Sequence, residues 1–191
     1  MKTTERPSVS DLETELRRVK YQRRYNTVLK STIYTLITVA AVAVLVATLW
    51  LPVLQIYGSS MTPTLQDGEI VFSVKTSTME QGDVIAFYYN NKILIKRVIA
   101  NPGDWVNITE DGTVYVNDKL LEEPYLKEKS YGDADITFPY QVPDRYYFVM
   151  GDHRETSADS RHTSVGCVSP DQIVGKIVFR IWPLDSIGLI G

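Results

Sequence analysis

The sequence has one cysteine, Cys167, so no disulfide can close within the chain and an exported domain would have to rest on its core alone. A lone cysteine is ordinarily a small buried hydrophobe rather than a nucleophile. There are only two histidines, His153 and His162, both in or beside one polar loop. Glycine (11) and proline (9) are at ordinary levels among 191 residues, and no segment recurs at a solenoid period, which excludes fibrous and repeat architectures. Charge is missing altogether between Lys30 and Asp67.

What charge there is lies unevenly. Residues 1–30 hold eight Lys/Arg against four Asp/Glu, a balance of +4; with −3 for the whole chain, the other 161 residues stand at −7. An acidic body argues against a nucleic-acid surface. Inside the uncharged gap, Ile33 to Leu54 is apolar almost throughout. At about 1.5 Å per residue, that run matches a bilayer core of about 30 Å. The expected organisation is a basic cytoplasmic tail (1–30), a transmembrane helix (31–54) and an extracytoplasmic domain (55–191), oriented by the Lys/Arg cluster before the span. Trp50 and Tyr57 are candidate interfacial anchors. A cleaved secretory signal fits less well: the run exceeds the usual apolar region, its leader is long, and no small-x-small site follows. A buried core helix would need a larger soluble body than remains. Ser10 to Glu13 has capping-box spacing ahead of Leu12, Leu16 and Val19, which predicts a short amphipathic helix leading into the span.

Beyond Tyr57 the pattern becomes that of strands. Segments 69–74, 83–88, 92–100, 105–109, 113–116, 146–150 and 176–181 are rich in β-branched and aromatic residues. Asn90-Asn91 and Glu110-Asp111-Gly112 read as hairpin turns. The fold class is therefore mainly β, an antiparallel sheet domain behind one N-terminal membrane helix. Residues 121–145, with three prolines and several acids, read as a long irregular excursion. Asn107-Ile108-Thr109 matches a glycosylation acceptor, a triplet frequent by chance.

Three places carry candidate chemistry. Gly58-Ser59-Ser60-Met61-Thr62-Pro63 is a stiff turn able to present a hydroxyl together with its own N–H, or simply a polar linker. In Lys92–Ile99, strand alternation puts Lys96 on one face and Arg97 on the other, so one of the two cations must approach apolar surroundings. A desolvated Lys96 would lose its proton and become a general base for a serine hydroxyl; the bland reading is an edge strand with snorkelling side chains. The third place is the polar loop 150–161. A Ser-His-Asp triad would recruit His153 or His162 to Ser60, and a metal site would pair the histidines with Asp152 or Asp159, although their spacing matches no helical ligand motif.

Taken together, Ser60–Leu65, Gly82–Phe87, Lys96–Asp104 and Gly151–Arg154 through Ser157–Arg161 resemble, in order, the motifs of the type I signal peptidases, peptidase family S26. The resemblance implies a membrane-bound serine endopeptidase that removes signal peptides from exported preproteins, with a largely antiparallel β fold beside the lipid bilayer of the cell membrane. It implies Ser60 as nucleophile, Lys96 as general base, Ser157 as the serine orienting the amine, and Asp159 with Arg161 as a bracing ion pair. No metal or organic cofactor is implied. Trp182 stands where relatives have a membrane-proximal tryptophan, with ordinary core packing as the alternative. Two departures are notable: Gly58 replaces a serine that donates to the oxyanion in some relatives, and His153 replaces a common asparagine. The runner-up is a non-catalytic, membrane-anchored assembly factor for surface polymers. A penicillin-recognising enzyme is excluded because no serine has a lysine three residues later. Ser60 follows Leu54 by six residues, which caps its distance from the membrane exit at about 20 Å. Its substrate is therefore expected at the bilayer surface, added as a strand to an open sheet edge, with shallow pockets for small side chains at the first and third positions before the cut.

Overall fold

The computed structural model describes residues 9–50 and 52–190. Lys2, Glu5 and Arg6 of the basic tail, Leu51 of the apolar run and the side chain of Trp50 lie outside the described part. The chain divides into two compact units between Ala47 and Thr48.

The first unit is built from one helix, α1 (Val9–Trp50). Its stretch Leu12–Val46 is long and apolar enough, by length and composition, to cross a membrane, and the side chains of that stretch are exposed. In place of a short helix leading into a span, one unbroken helix runs from the basic segment through the apolar one. It also ends before the apolar run does. Pro52 has no N–H to continue the ladder and disfavours helix in the residue before it. Val53 and Leu54, expected in the span, instead form a strand.

The second unit holds the strands: β1 (Val53–Gln55), β2 (Ile70–Val74), β3 (Val84–Tyr89), β4 (Lys92–Ala100), β5 (Trp105–Ile108), β6 (Val114–Val116), β7 (Lys119–Leu120), β8 (Tyr140–Gln141), β9 (Phe148–Met150), β10 (Ile173–Trp182) and β11 (Gly188–Leu189). The larger sheet has the order β1-β2-β10-β3-β4-β9, with β11 paired to β10; the smaller has the order β7-β6-β5-β8. All the pairings are antiparallel. The hairpin between β3 and β4 turns at Asn90-Asn91, with Asn90 at a φ of 51°, and the β5–β6 turn passes through Gly112 at 81°. Both are left-handed positions that asparagine and glycine tolerate.

Three apolar clusters hold this unit together. The one that positions the site contains Ile56, Met61, Leu65, Val71, Val84, Ala86 and Ile177. Met61 and Leu65 thus bury the segment that follows Ser60 and stop it from swinging outward. Register completes the frame: Ile85 faces Lys96, Val84 faces Arg97, and Arg97 faces Met150. Because β9 ends at Met150, the loop that begins at Gly151 runs past Lys96. Residues 121–145 are irregular apart from β8, as the sequence suggests, but they reach further into the structure than an excursion need.

Candidate active site

The turn bearing Ser60 is braced at each end. Gly58 has a φ of 89°, where a side chain would be strained, and its N–H donates to Asp67 Oδ1 at 2.6 Å. That contact occupies the Gly58 N–H, so it is not a free donor. The Ser59 carbonyl accepts from the Thr62 N–H (3.0 Å) and hydroxyl (2.8 Å). Arg180 donates to the Thr64 carbonyl at 2.8 Å while pairing with Glu69 at 3.0 Å. The Ser60 carbonyl accepts the His153 N–H at 3.0 Å. Among the described residues, nothing in the protein accepts the Ser60 N–H.

Lys96 Nζ lies 2.7 Å from Ser60 Oγ. Lys96 is 3% exposed, and no carboxylate among the described residues lies within ion-pairing distance of its amine. Burial lowers its pKa from 10.5 to about 8; the more distant charges of Asp159 and Asp152 pull it back up, and Arg161 pushes it down. The sequence expectation was that one of the two neighbouring cations would be buried. Both are, by opposite means. Arg97 donates from Nε and Nη2 to the two oxygens of Asp152 (3.0 and 2.8 Å) and from Nη1 to the Gly82 carbonyl (2.7 Å), and its guanidinium lies 3.9 Å over the Tyr125 ring. Arg97 is neutralised in place, whereas Lys96 is left to shed its proton.

The 151–161 loop is held by two more buried arginines. Asp159 pairs with Arg161 through two contacts of 2.9 Å and accepts the Gly151 N–H at 3.0 Å. Arg161 also donates to the carbonyls of Tyr131 and Arg154, each at 2.7 Å. Arg154 donates to the Gly151 carbonyl at 3.1 Å and pairs with Glu123. Asp159→Asn should therefore leave Arg161 buried without its counter-charge and destabilise the fold by about 3–5 kcal/mol, measured by urea unfolding. In the molecules that still fold, loss of the Asp159 charge should move the activity profile to lower pH, because that charge raises the Lys96 pKa.

Gly151 is where the loop meets Ser60. A Cβ there would stand 2.5 Å from the Ser60 carbonyl oxygen and 2.2 Å from Ser157 Oγ. Gly151→Ala should push Ser60 off its position and cost about 10²-fold in kcat while the protein stays folded, checked by turnover alongside thermal unfolding. Ser157 Oγ is buried and makes no hydrogen bond among the described residues, so the contact to the Lys96 amine implied for it is not formed here. Neither histidine ring bonds the Ser60 hydroxyl: His153 Nδ1 contacts Thr156 Oγ1 at 2.8 Å, and His162 Nδ1 contacts Ser164 Oγ at 2.8 Å and Asp135 at 3.4 Å. Asp152 and Asp159, weighed above as metal ligands, are each taken up by an arginine. Burial pushes the Cys167 thiol up to about 11, and its side chain packs on the core. Trp182 is 49% exposed at the end of β10, which is not core packing.

Sequence reasoning did not find the roles of Glu123 and Tyr125. Both lie in the irregular excursion, where no periodicity marks a residue as inward. Asp152 was noticed as part of a motif, but its partner Arg97 sits in a strand 55 positions away.

Residues 29–182 match the family model described as signal peptidase, peptidase S26. The chain belongs to that family. Signal peptidase IB of Staphylococcus aureus is 43% identical over 152 residues, covering 69% of this chain and 78% of that protein. Signal peptidase I of Streptococcus pneumoniae serotype 4 is 32% identical over 173 residues, covering 70% and 83%. A crystal structure of a signal peptidase I from Enterococcus faecalis V583 is 31% identical and covers 53% of this chain and 98% of that one, with a TM-score of 0.46. The matched range takes in the Ser60 turn, Lys96 and the 151–161 loop.

Proposed function

We propose that this protein is a membrane-bound serine endopeptidase that removes N-terminal signal peptides from exported preproteins, with Ser60 as nucleophile and Lys96 as general base. The observation that carries the reading is the 2.7 Å contact between a buried amine of lowered pKa and a hydroxyl in a braced turn. Neutral Lys96 takes the Ser60 proton as Oγ attacks the scissile carbonyl carbon. The negative oxygen that forms is met by the unengaged Ser60 N–H, with Gly58 acting through the shape of the turn, since its own N–H is held by Asp67. The tetrahedral species collapses as the Lys96 ammonium returns its proton to the departing amine nitrogen. The same amine, neutral again, deprotonates the water that hydrolyses the acyl-enzyme. The Asp159–Arg161 pair braces the loop beside Lys96, while Ser157 Oγ, buried and unpaired, is the hydroxyl left to orient the amine.

The membrane supplies the substrate. The chain is anchored by its apolar helix, with residues 1–30 in the cytoplasm and the β domain on the outer face of the cell membrane, following the positive-inside rule. A preprotein then presents an apolar helix followed by an extended segment close to Ser60. From Lys92 to Lys96, β4 has β3 on one side and no strand on the other among the described residues, an open edge to which the segment before the cut adds. The assembly-factor reading leaves the buried Ser60–Lys96 contact without a use. Purified full-length protein in detergent micelles, given a preprotein, should release one mature product cut at a single bond; an intact preprotein after prolonged incubation would count against the assignment.

A further inference from the structure

Resting on that reading, a second surface follows from where the open space around Ser60 lies. A groove of about 500 Å³ adjoins the nucleophile turn, within the usual range for ligand sites. Its walls come from Thr62 and Pro63, just after Ser60, and from His153, whose N–H holds the Ser60 carbonyl. β4, the strand with the open edge, contributes nothing to it. A peptide added along β4 with its scissile bond at Ser60 must leave past the turn that carries Ser60, and the groove adjoins that turn through Thr62 and Pro63.

The chemistry of the groove suits a polar, extended chain. The buried charges in its wall are already matched within the protein, Asp152 by Arg97 and Arg154 by Glu123. The exposed Lys127, Glu128 and Lys129 from the irregular excursion, and Glu155 from the opposite loop, have no ion-pair partner among the described residues, so the rim carries both signs; Lys129 reaches only the Thr113 hydroxyl at 3.3 Å. Such a rim offers charge without offering an apolar floor. We propose that this groove binds the first residues of the mature chain, those just after the cleavage site, and that the rim of Lys127, Glu128, Lys129 and Glu155 sets its charge preference. Selection would then act on both sides of the bond, with small apolar residues read before it and polar ones after it.

Peptide substrates with one shared signal segment test this in the full-length enzyme in micelles. Extending the leaving segment from one residue to five should raise kcat/KM by about tenfold. The double variant Lys127→Glu, Lys129→Glu should shift the kcat/KM ratio of a peptide with acidic residues after the cut to one with basic residues there by about fivefold or more toward the basic peptide. Equal cleavage of short and long leaving segments, or an unchanged ratio in the variant, would overturn the groove assignment and leave the dyad standing. Failure of the wild type to cleave any of the peptides would take down both.

Discussion

Ser60→Ala is expected to lower preprotein cleavage by a factor on the order of 10⁴–10⁶, and Lys96→Ala should fall as far, because in the proposed dyad nucleophile and base act as one unit whose losses do not add. Lys96→Arg should rescue nothing: a guanidinium keeps its proton and cannot accept the one Ser60 must lose. Lys96→Met separates chemistry from architecture. It keeps the bulk of a side chain that is 3% exposed, so the protein should fold and yet cut nothing. Its stability relative to the wild type should also change with pH in a defined direction. The wild-type amine has a folded pKa of about 8 against 10.5 when free, so burying it opposes folding at neutral pH, and that opposition fades as pH rises from 8 toward 10.5. Thermal unfolding should show Lys96→Met ahead of the wild type near neutrality, with the gap narrowing in alkali. Residual cleavage within tenfold of wild type in either alanine variant would defeat the dyad.

The second large effect lies in the pH profile. Only the neutral amine serves as base, so kcat/KM should climb about tenfold per unit below pH 8 and level off above it, roughly 90-fold in all between about pH 6 and 9. A midpoint near 10.5 would mean that the amine is hydrated in solution and that burial does not tune it. A flat profile would mean that a different group takes the proton.

Much of this was legible in the residues, and the reason differs from place to place. Lys92–Ala100 was bounded correctly because β-branched residues and a flanking asparagine pair leave no other reading. Ser60 and Lys96 were each weak as single signals and became specific only as members of an ordered set of motifs. The strand at Val53–Gln55 escaped detection because the apolar start of a short edge strand and the end of a membrane helix read alike; only the partner β2 distinguishes them. Burial of Arg97 beside Lys96 escaped because alternation assigns faces to side chains but does not say that both faces are covered. The partners that make its burial possible, Asp152 and Tyr125, come from loops with no period to read.

The irregular excursion also bears on how this protein can change over time. Long aperiodic connections are where chains usually gain and lose residues. Here Glu123 clamps Arg154, Tyr125 lies under Arg97, and the carbonyl of Tyr131 takes Arg161, so the stretch works as a belt buckled to three internal cations. Shortening it would unfasten the floor of the active site even though none of its residues touches the serine. Drift in length should instead collect at the exposed Asn90-Asn91 tip, where nothing downstream depends on the count.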